Sequence, residues 1–238
     1  MAPARRHAIV DVVMPARDEE GTVTANVVAA SRCRYVRHVI VVDDGSSDAT
    51  AERAHAAGAR VIRRAPSAGS KAHAMRDGVN ASDATHVLFV DADCIGLTSE
   101  HLEAICEPVL RGDAEMSLGA VDWGWLNALI IRIPPLSGLR IVPRWVWDAV
   151  PQEKLAGYTI EGRLNEVIGV SGLRTSARTM IGVRHRTKRE KFGPREGLRQ
   201  TVVMFAGVFG MLWPFGDVPL RSIPGYLRGL TIERAAPR

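Results

Sequence analysis

The sequence predicts an α/β fold, a mostly parallel sheet flanked by helices. Two observations carry the prediction. Short apolar runs alternate with helical stretches up to about residue 120. Acidic clusters then close two of those runs, at Asp43-Asp44 and at Asp91-Ala92-Asp93, where an open parallel sheet receives its ligands. At 238 residues the chain can bury a compact core without disulfide or metal staples.

The expected strands are Ala8 to Met14, His38 to Asp43, Ala59 to Arg63, His86 to Asp91 and Ala114 to Val121. Between them, Glu19 to Ser31, Asp48 to Ala57, Lys71 to Val79 and Ser99 to Leu110 read as helices, several of them opening at Ser, Thr or Asp caps. Beyond residue 121 the pattern degrades, because Pro134, Pro135 and Pro143 interrupt the aromatic and apolar stretch from Trp123 to Val150. Glu161 to Val170 reads as helix, Leu173 to Val183 as extended chain, and Leu198 to Trp213 as an apolar helix. Internal repeats and low-complexity linkers are absent from the sequence.

The net charge is +5, and basic residues concentrate between Arg184 and Arg199. Such a run is either a solvated face or a contact for phosphate or membrane. Nucleic-acid binding would rest on that charge alone, without an interleaved aromatic motif, and is not expected. Cys33, Cys94 and Cys106 are odd in number and form no metal-ligand pair, which suits a reducing cytoplasm. Asp11 breaks the first apolar run, so a signal peptide is not expected, and no run reaches membrane-spanning length.

Asp91 and Asp93 are two apart, so in extended chain both carboxylates point to one side. Such a pair can share Mg²⁺ or Mn²⁺ with a diphosphate, since hard oxygen ligands suit these cations. A lone Asp-x-Asp is more often a solvated turn; its place after the apolar run Val87 to Val90 shifts the balance towards a site. The stretch Asp43-Asp44-Gly45-Ser46-Ser47-Asp48 reads as a turn followed by a helix cap. That leaves two adjacent acids ahead of the turn, one able to accept a hydrogen bond from a base N–H and the other to lie near ribose or metal.

Four motifs in order, PARDEE at Pro15 to Glu20, VVDDGSSDAT at Val41 to Thr50, GSKAHAMRDGV at Gly69 to Val79 and VDAD at Val90 to Asp93, resemble family 2 glycosyltransferases. The resemblance implies a Rossmann-like GT-A fold with a C-terminal acceptor-side extension. It divides the chain into a nucleotide-sugar half at 1–121, an acceptor-side half at 122–192 and a helical extension at 193–238. Pro15, Ala16, Arg17 and Glu19 would line the nucleotide, with Asp44 and Ala92 beside it. Asp43 would meet the base, and Lys71 would lie near the phosphates. Asp18 stands where the family commonly has Asn. Downstream, SGLR at Ser137 to Arg140, GYTIEGRLN at Gly157 to Asn165 and GVRHRTKREKFG at Gly182 to Gly193 are similar to the acceptor half of single-transfer members. Glu161 would be the acceptor-side base, where the family often has Glu-Asp rather than Glu161-Gly162. His185 would complete the metal site with Asp91 and Asp93. Read without the resemblance, Glu161 is a first-turn acid favoured by the helix dipole and His185 is structural. The tryptophans at 123, 125, 145, 147 and 213 are core or interface residues, or stack on sugar or acceptor.

The expected reaction is one displacement at the anomeric carbon of a nucleotide-diphosphosugar, with inversion; retention stays open. A UDP-sugar is expected ahead of GDP- or dTDP-sugars. The acceptor is left between a small molecule and a polyprenyl phosphate, the latter because apolar Thr201 to Trp213 follows the basic run and suits the inner face of a membrane. The same segment could instead pack on the domain or form a homodimer interface. Two rivals are a nucleotidyltransferase and a sugar-nucleotide-binding protein on a decayed scaffold. Against the first, MPARDEEGT stands where a glycine-rich phosphate loop belongs. Against the second, all four acids are intact.

Overall fold

The computed structural model describes residues 8–65, 70–131, 137–151, 160–186, 193, 199 and 222–235. Most of the basic run and the whole of Thr201 to Trp213 lie outside the described residues. The elements are β1 (Val10–Ala16), α1 (Val23–Arg32), β2 (Val36–Asp43), α2 (Thr50–Ala56), β3 (Arg60–Arg63), α3 (Lys71–Asn80), β4 (His86–Phe89), β5 (Cys94–Ile95) and α4 (Ser99–Arg111). They continue with β6 (Met116–Val121), a 3₁₀ turn (Gly124–Leu126), α5 (Asn127–Ile130), β7 (Arg140–Pro143), α6 (Arg144–Asp148), α7 (Ile160–Val170), β8 (Thr175–Met180), β9 (Arg184–His185), α8 (Ser222–Gly229) and β10 (Leu230–Ile232).

Among the described residues, eight strands form one sheet in the order β10-β8-β6-β7-β4-β1-β2-β3, in which β7 alone runs antiparallel to its neighbours. Helices cover both faces, so central β1 buries Val12 and Val13 on opposite sides and reads as a continuous apolar run. Phe89 and Trp147 meet at 5.2 Å between ring centroids under one face. On the other, Leu102, Ile105 and Cys106 of α4 pack in, with Thr98 and His101 forming a capping box at the helix start. The last described elements close the sheet: β10 pairs with β8, and α8 lies against α7 so tightly that a Cβ on Gly225 would stand 2.0 Å from the Gly169 carbonyl oxygen.

Most boundaries shift by a few residues from the sequence expectation, and three of the shifts bear on the site. α1 starts at Val23, and Glu19 to Thr22 form the turn leading into it, with the Glu19 carbonyl accepting from Thr22 N and Val23 N. Asp48 precedes α2 and accepts from Thr50 N at 3.0 Å. β4 ends at Phe89, so Asp91 and Asp93 ride the connection to β5 instead of a strand. The unforeseen β7 explains the poor legibility of the second half, because a strand inserted antiparallel breaks the β-α alternation. Among the described residues no helix is long and apolar enough to cross a membrane.

Candidate active site

The loops after β1, β2 and β4 converge at the carboxyl edge of the sheet. Asp18 adopts φ 53°, the left-handed region that Asn and Asp tolerate better than other side chains, so Asp can stand where the family has Asn. From there its Oδ1 accepts from Ser47 N at 2.8 Å and Ser47 Oγ at 3.1 Å, while its own N–H donates to Ser46 Oγ at 3.0 Å. Glu19 N donates to Thr50 Oγ1 at 2.8 Å, and Asp44 N to the Ala16 carbonyl at 2.8 Å. Pro15, Ala16, Arg17 and Glu19 are thereby locked beside Asp43 and Asp44.

The two adjacent acids differ. Asp43 is buried and its Oδ1 accepts from Ser46 N at 3.1 Å, closing the turn. Asp44 is committed to Arg64, which also reaches Asp77 at 2.9 Å. Burial pushes the Asp44 carboxyl above its ordinary pKa, with Arg64 opposing.

Around Asp91 the groups come from distant parts of the chain. Lys71 opens α3, and Gly78 on that helix meets β1 and β2 without room for a side chain, a Cβ standing 2.5 Å from Val13 Cγ1. The close seat fixes Lys71, whose Nζ donates to Asp91 Oδ1 at 2.7 Å and to Glu161 Oε1 at 2.6 Å. Burial alone would lower the Lys71 pKa, but Asp91 and Glu161 outweigh it and hold the amine well above its usual value. Burial would likewise raise Asp91; Lys71, His185 and Arg140 together hold it low. The Asp91–Lys71 pair is therefore charged on both sides.

The β5–β9 pairing sets Cys94 opposite His185, which brings the imidazole to the Asp-x-Asp turn. His185 Nδ1 lies 2.9 Å from Asp93 Oδ1, and Nε2 lies 3.9 Å from Asp91 Oδ2. Burial opposes the imidazolium, yet Asp93 and Asp91 raise the His185 pKa overall. Ligand atoms of Asp93, Cys94 and His185 fall within 4.8 Å of one another. Within that group the Asp93 carboxylate and the His185 imidazole are the donors that would fit Mn²⁺, and less closely Mg²⁺, which favours oxygen throughout, while the Cys94 thiol is a softer donor held above its ordinary pKa by burial. The histidine that lacked any partner nearby in sequence thus stands between both acids of the motif.

Sequence reasoning gave no role to three further residues. Buried Asn26 on α1 donates through Nδ2 to the carbonyls of Ala92 and Cys94, at 2.9 and 3.0 Å, and so pins the backbone between the acids. Gly138 faces Asp91 so closely that a Cβ would lie 2.1 Å from Oδ2. Arg140, fully buried, donates to the Ser137 carbonyl through Nε and Nη2 and to the Glu161 carbonyl through Nη1. Gly138 and Arg140 lie in the SGLR stretch, so the family likeness was their only signal.

Comparison with known proteins agrees with this architecture. The family model described as Glycosyl transferase family 2 matches residues 11–127. Glucosyl-3-phosphoglycerate synthase of Mycolicibacterium paratuberculosis is 30% identical, over 78% of this chain and 68% of that protein. The crystal structure of glucosyl-3-phosphoglycerate synthase from Mycobacterium tuberculosis with Mn²⁺ and UDP-glucose superposes with a TM-score of 0.68 at 25% identity, covering 84% of this chain and 78% of that one. A shorter match, 32% identical over 42% of the chain and 28% of the relative, is to 4,4'-diaponeurosporenoate glycosyltransferase of Staphylococcus aureus. Fold, ordered motifs and relatives agree: the chain belongs to glycosyl transferase family 2 and is a glycosyltransferase of the GT-A fold.

Proposed function

We propose that the chain transfers a hexose, glucose first, from a UDP-sugar to a hydroxyl group of a small anionic acceptor of the phosphoglycerate class, with Mn²⁺ or Mg²⁺ as cofactor. The observation that carries this reading is the meeting of Asp93 and His185 at 2.9 Å beside the Asp91-Lys71-Glu161 chain. The donor, metal and acceptor named for the mycobacterial synthases are those a site of this charge pattern would take.

In this reading Asp43 accepts from a base N–H, the β1–α1 loop lines the nucleotide, and Asp93 and His185 hold the cation with Asp91 alongside. A divalent cation there supplies Lewis-acid neutralisation of charge on the leaving diphosphate. Lys71, aimed by two carboxylates, adds a fixed positive charge on the same side. Inversion would require a base across the anomeric carbon from the leaving group. Glu161, the acceptor-side acid, bonds Lys71 at 2.6 Å, so the carboxylate that would take the acceptor proton also holds the amine in place.

The test is turnover of UDP-glucose with Mn²⁺ and 3-phosphoglycerate, followed by proton NMR of the product. Acceptor-dependent UDP release is expected, with an inverted anomeric centre if Glu161 serves as base and a retained one if it only holds Lys71. Transfer only to a polyprenyl phosphate in anionic vesicles would replace the small acceptor with a lipid one. No UDP release with any acceptor would overturn the reading.

A further inference from the structure

Burying a guanidinium is costly unless its donors are satisfied, and Arg140 is wholly buried at the first residue of β7. Besides a 3.9 Å contact from Nη1 to Met116 Sδ, two sets of its bonds tie separate parts of the chain together. Nε and Nη2 hold the Ser137 carbonyl at 2.8 and 2.6 Å, clasping the turn in which Gly138 abuts the Asp91 carboxylate. Nη1 holds the Glu161 carbonyl at 3.2 Å and Asn165 Oδ1 at 3.1 Å, which fixes the opening turns of α7. Those two parts of the chain are 24 residues apart, from Ser137 to Glu161; one abuts Asp91 and the other carries Glu161, the two carboxylates that Lys71 bridges.

We propose that Arg140 is a positioning residue: it sets the Gly138 turn against the start of α7, so that Asp91 and Glu161 stay at the separation that Lys71 bridges. Arg140 reaches no reacting atom; it acts through Lys71 and its two carboxylates. The role rests on the transferase reading above. Lysine at 140 cannot reproduce the fork, because a single ammonium cannot serve the Ser137 and α7 acceptors in the same directions. The charge would remain while the geometry is lost.

The test has a structural and a kinetic arm. In a crystal structure of Arg140→Lys, the Lys71–Glu161 bond, 2.6 Å in the native chain, should be lost; an intact bond would overturn the proposal. In turnover of UDP-glucose, Arg140→Lys should lower kcat at least about tenfold and leave KM for the donor within about twofold, since the nucleotide loops lie elsewhere. In a Glu161→Gln background the same substitution should cost less than about twofold, because the geometry it protects is already gone. Equal losses in both backgrounds would mean that Arg140 supports only the fold, and would overturn the proposal. Should Arg140→Lys fail to fold, Asn165→Ser, which removes one acceptor of the guanidinium, carries the same cycle with a smaller expected loss. Absence of wild-type turnover would count against the transferase reading, while the crystallographic arm would still decide the role of Arg140.

Discussion

Replacing Gly138 by alanine puts one methyl group where the structure has no room. The new Cβ would stand 2.1 Å from Asp91 Oδ2, 2.2 Å from Oδ1 and 2.4 Å from Cγ. Carbon–oxygen contacts do not close below about 3.0 Å, so either the carboxylate or the turn must retreat by roughly 0.9 Å. Asp91 is a short side chain already bonded to Lys71 at 2.7 Å, and a retreat of that size carries the bond past hydrogen-bonding range. Overpacking of this kind costs about 1–3 kcal/mol of stability. Misplacing a group at the reacting centre by about 1 Å costs on the order of 100-fold in rate. Gly138→Ala should therefore stay folded by circular dichroism, melt lower by several degrees, and lose about 100-fold in kcat for UDP-glucose turnover. Wild-type kcat in a folded Gly138→Ala protein would refute the reasoning, since it would mean that the position of Asp91 does not matter.

Other consequences are as specific. Asp11, buried at the start of β1, is held by Arg37 at 3.0 and 2.8 Å and by Ser82 at 2.6 Å, which outweigh burial and keep its pKa low. Its stabilisation is present above the ordinary carboxylate pKa and is lost as pH falls through the depressed one. Asp11→Asn should therefore cost about 1–3 kcal/mol at pH 7 by denaturant titration, with the gap to wild type closing below about pH 4 and turnover unchanged. His185→Ala should weaken Mn²⁺ binding to the UDP complex by about tenfold or more, read by electron paramagnetic resonance, while metal-free UDP affinity is unchanged. The base contact expected of Asp43 predicts that Asp43→Ala weakens UDP binding by roughly 1–3 kcal/mol in a folded protein, read by calorimetry.

The parts of the fold legible in the sequence are those with local causes. β1, β2 and β4 announce themselves because buried parallel strands are continuous apolar runs, and Asp43, Asp91 and Asp93 stand out because acids close those runs. Lys71, Glu161 and His185 entered only through family likeness, yet the structure gathers all three around Asp91. Their meeting is set by long-range geometry: the seat of α3 on Val13, the start of α7, and the two-residue pairing of β5 with β9. No periodicity in a single segment encodes such contacts. The commitment of Asp44 to Arg64 was hidden for the same reason, because Arg64 follows the next strand along. Arg140 was hardest to see, since a buried arginine looks in sequence like any surface one.

The most direct measurement is calorimetric titration of UDP-glucose into the protein with and without Mn²⁺, in the wild type and in Asp93→Asn. If Asp93 and His185 hold a cation against the diphosphate, Mn²⁺ should tighten wild-type binding by about tenfold or more, roughly 1.4 kcal/mol, and Asp93→Asn should abolish the difference. Equal affinity with and without Mn²⁺ in the wild type, or a full metal effect in a folded Asp93→Asn protein, would contradict the metal-assisted transfer proposed for this site.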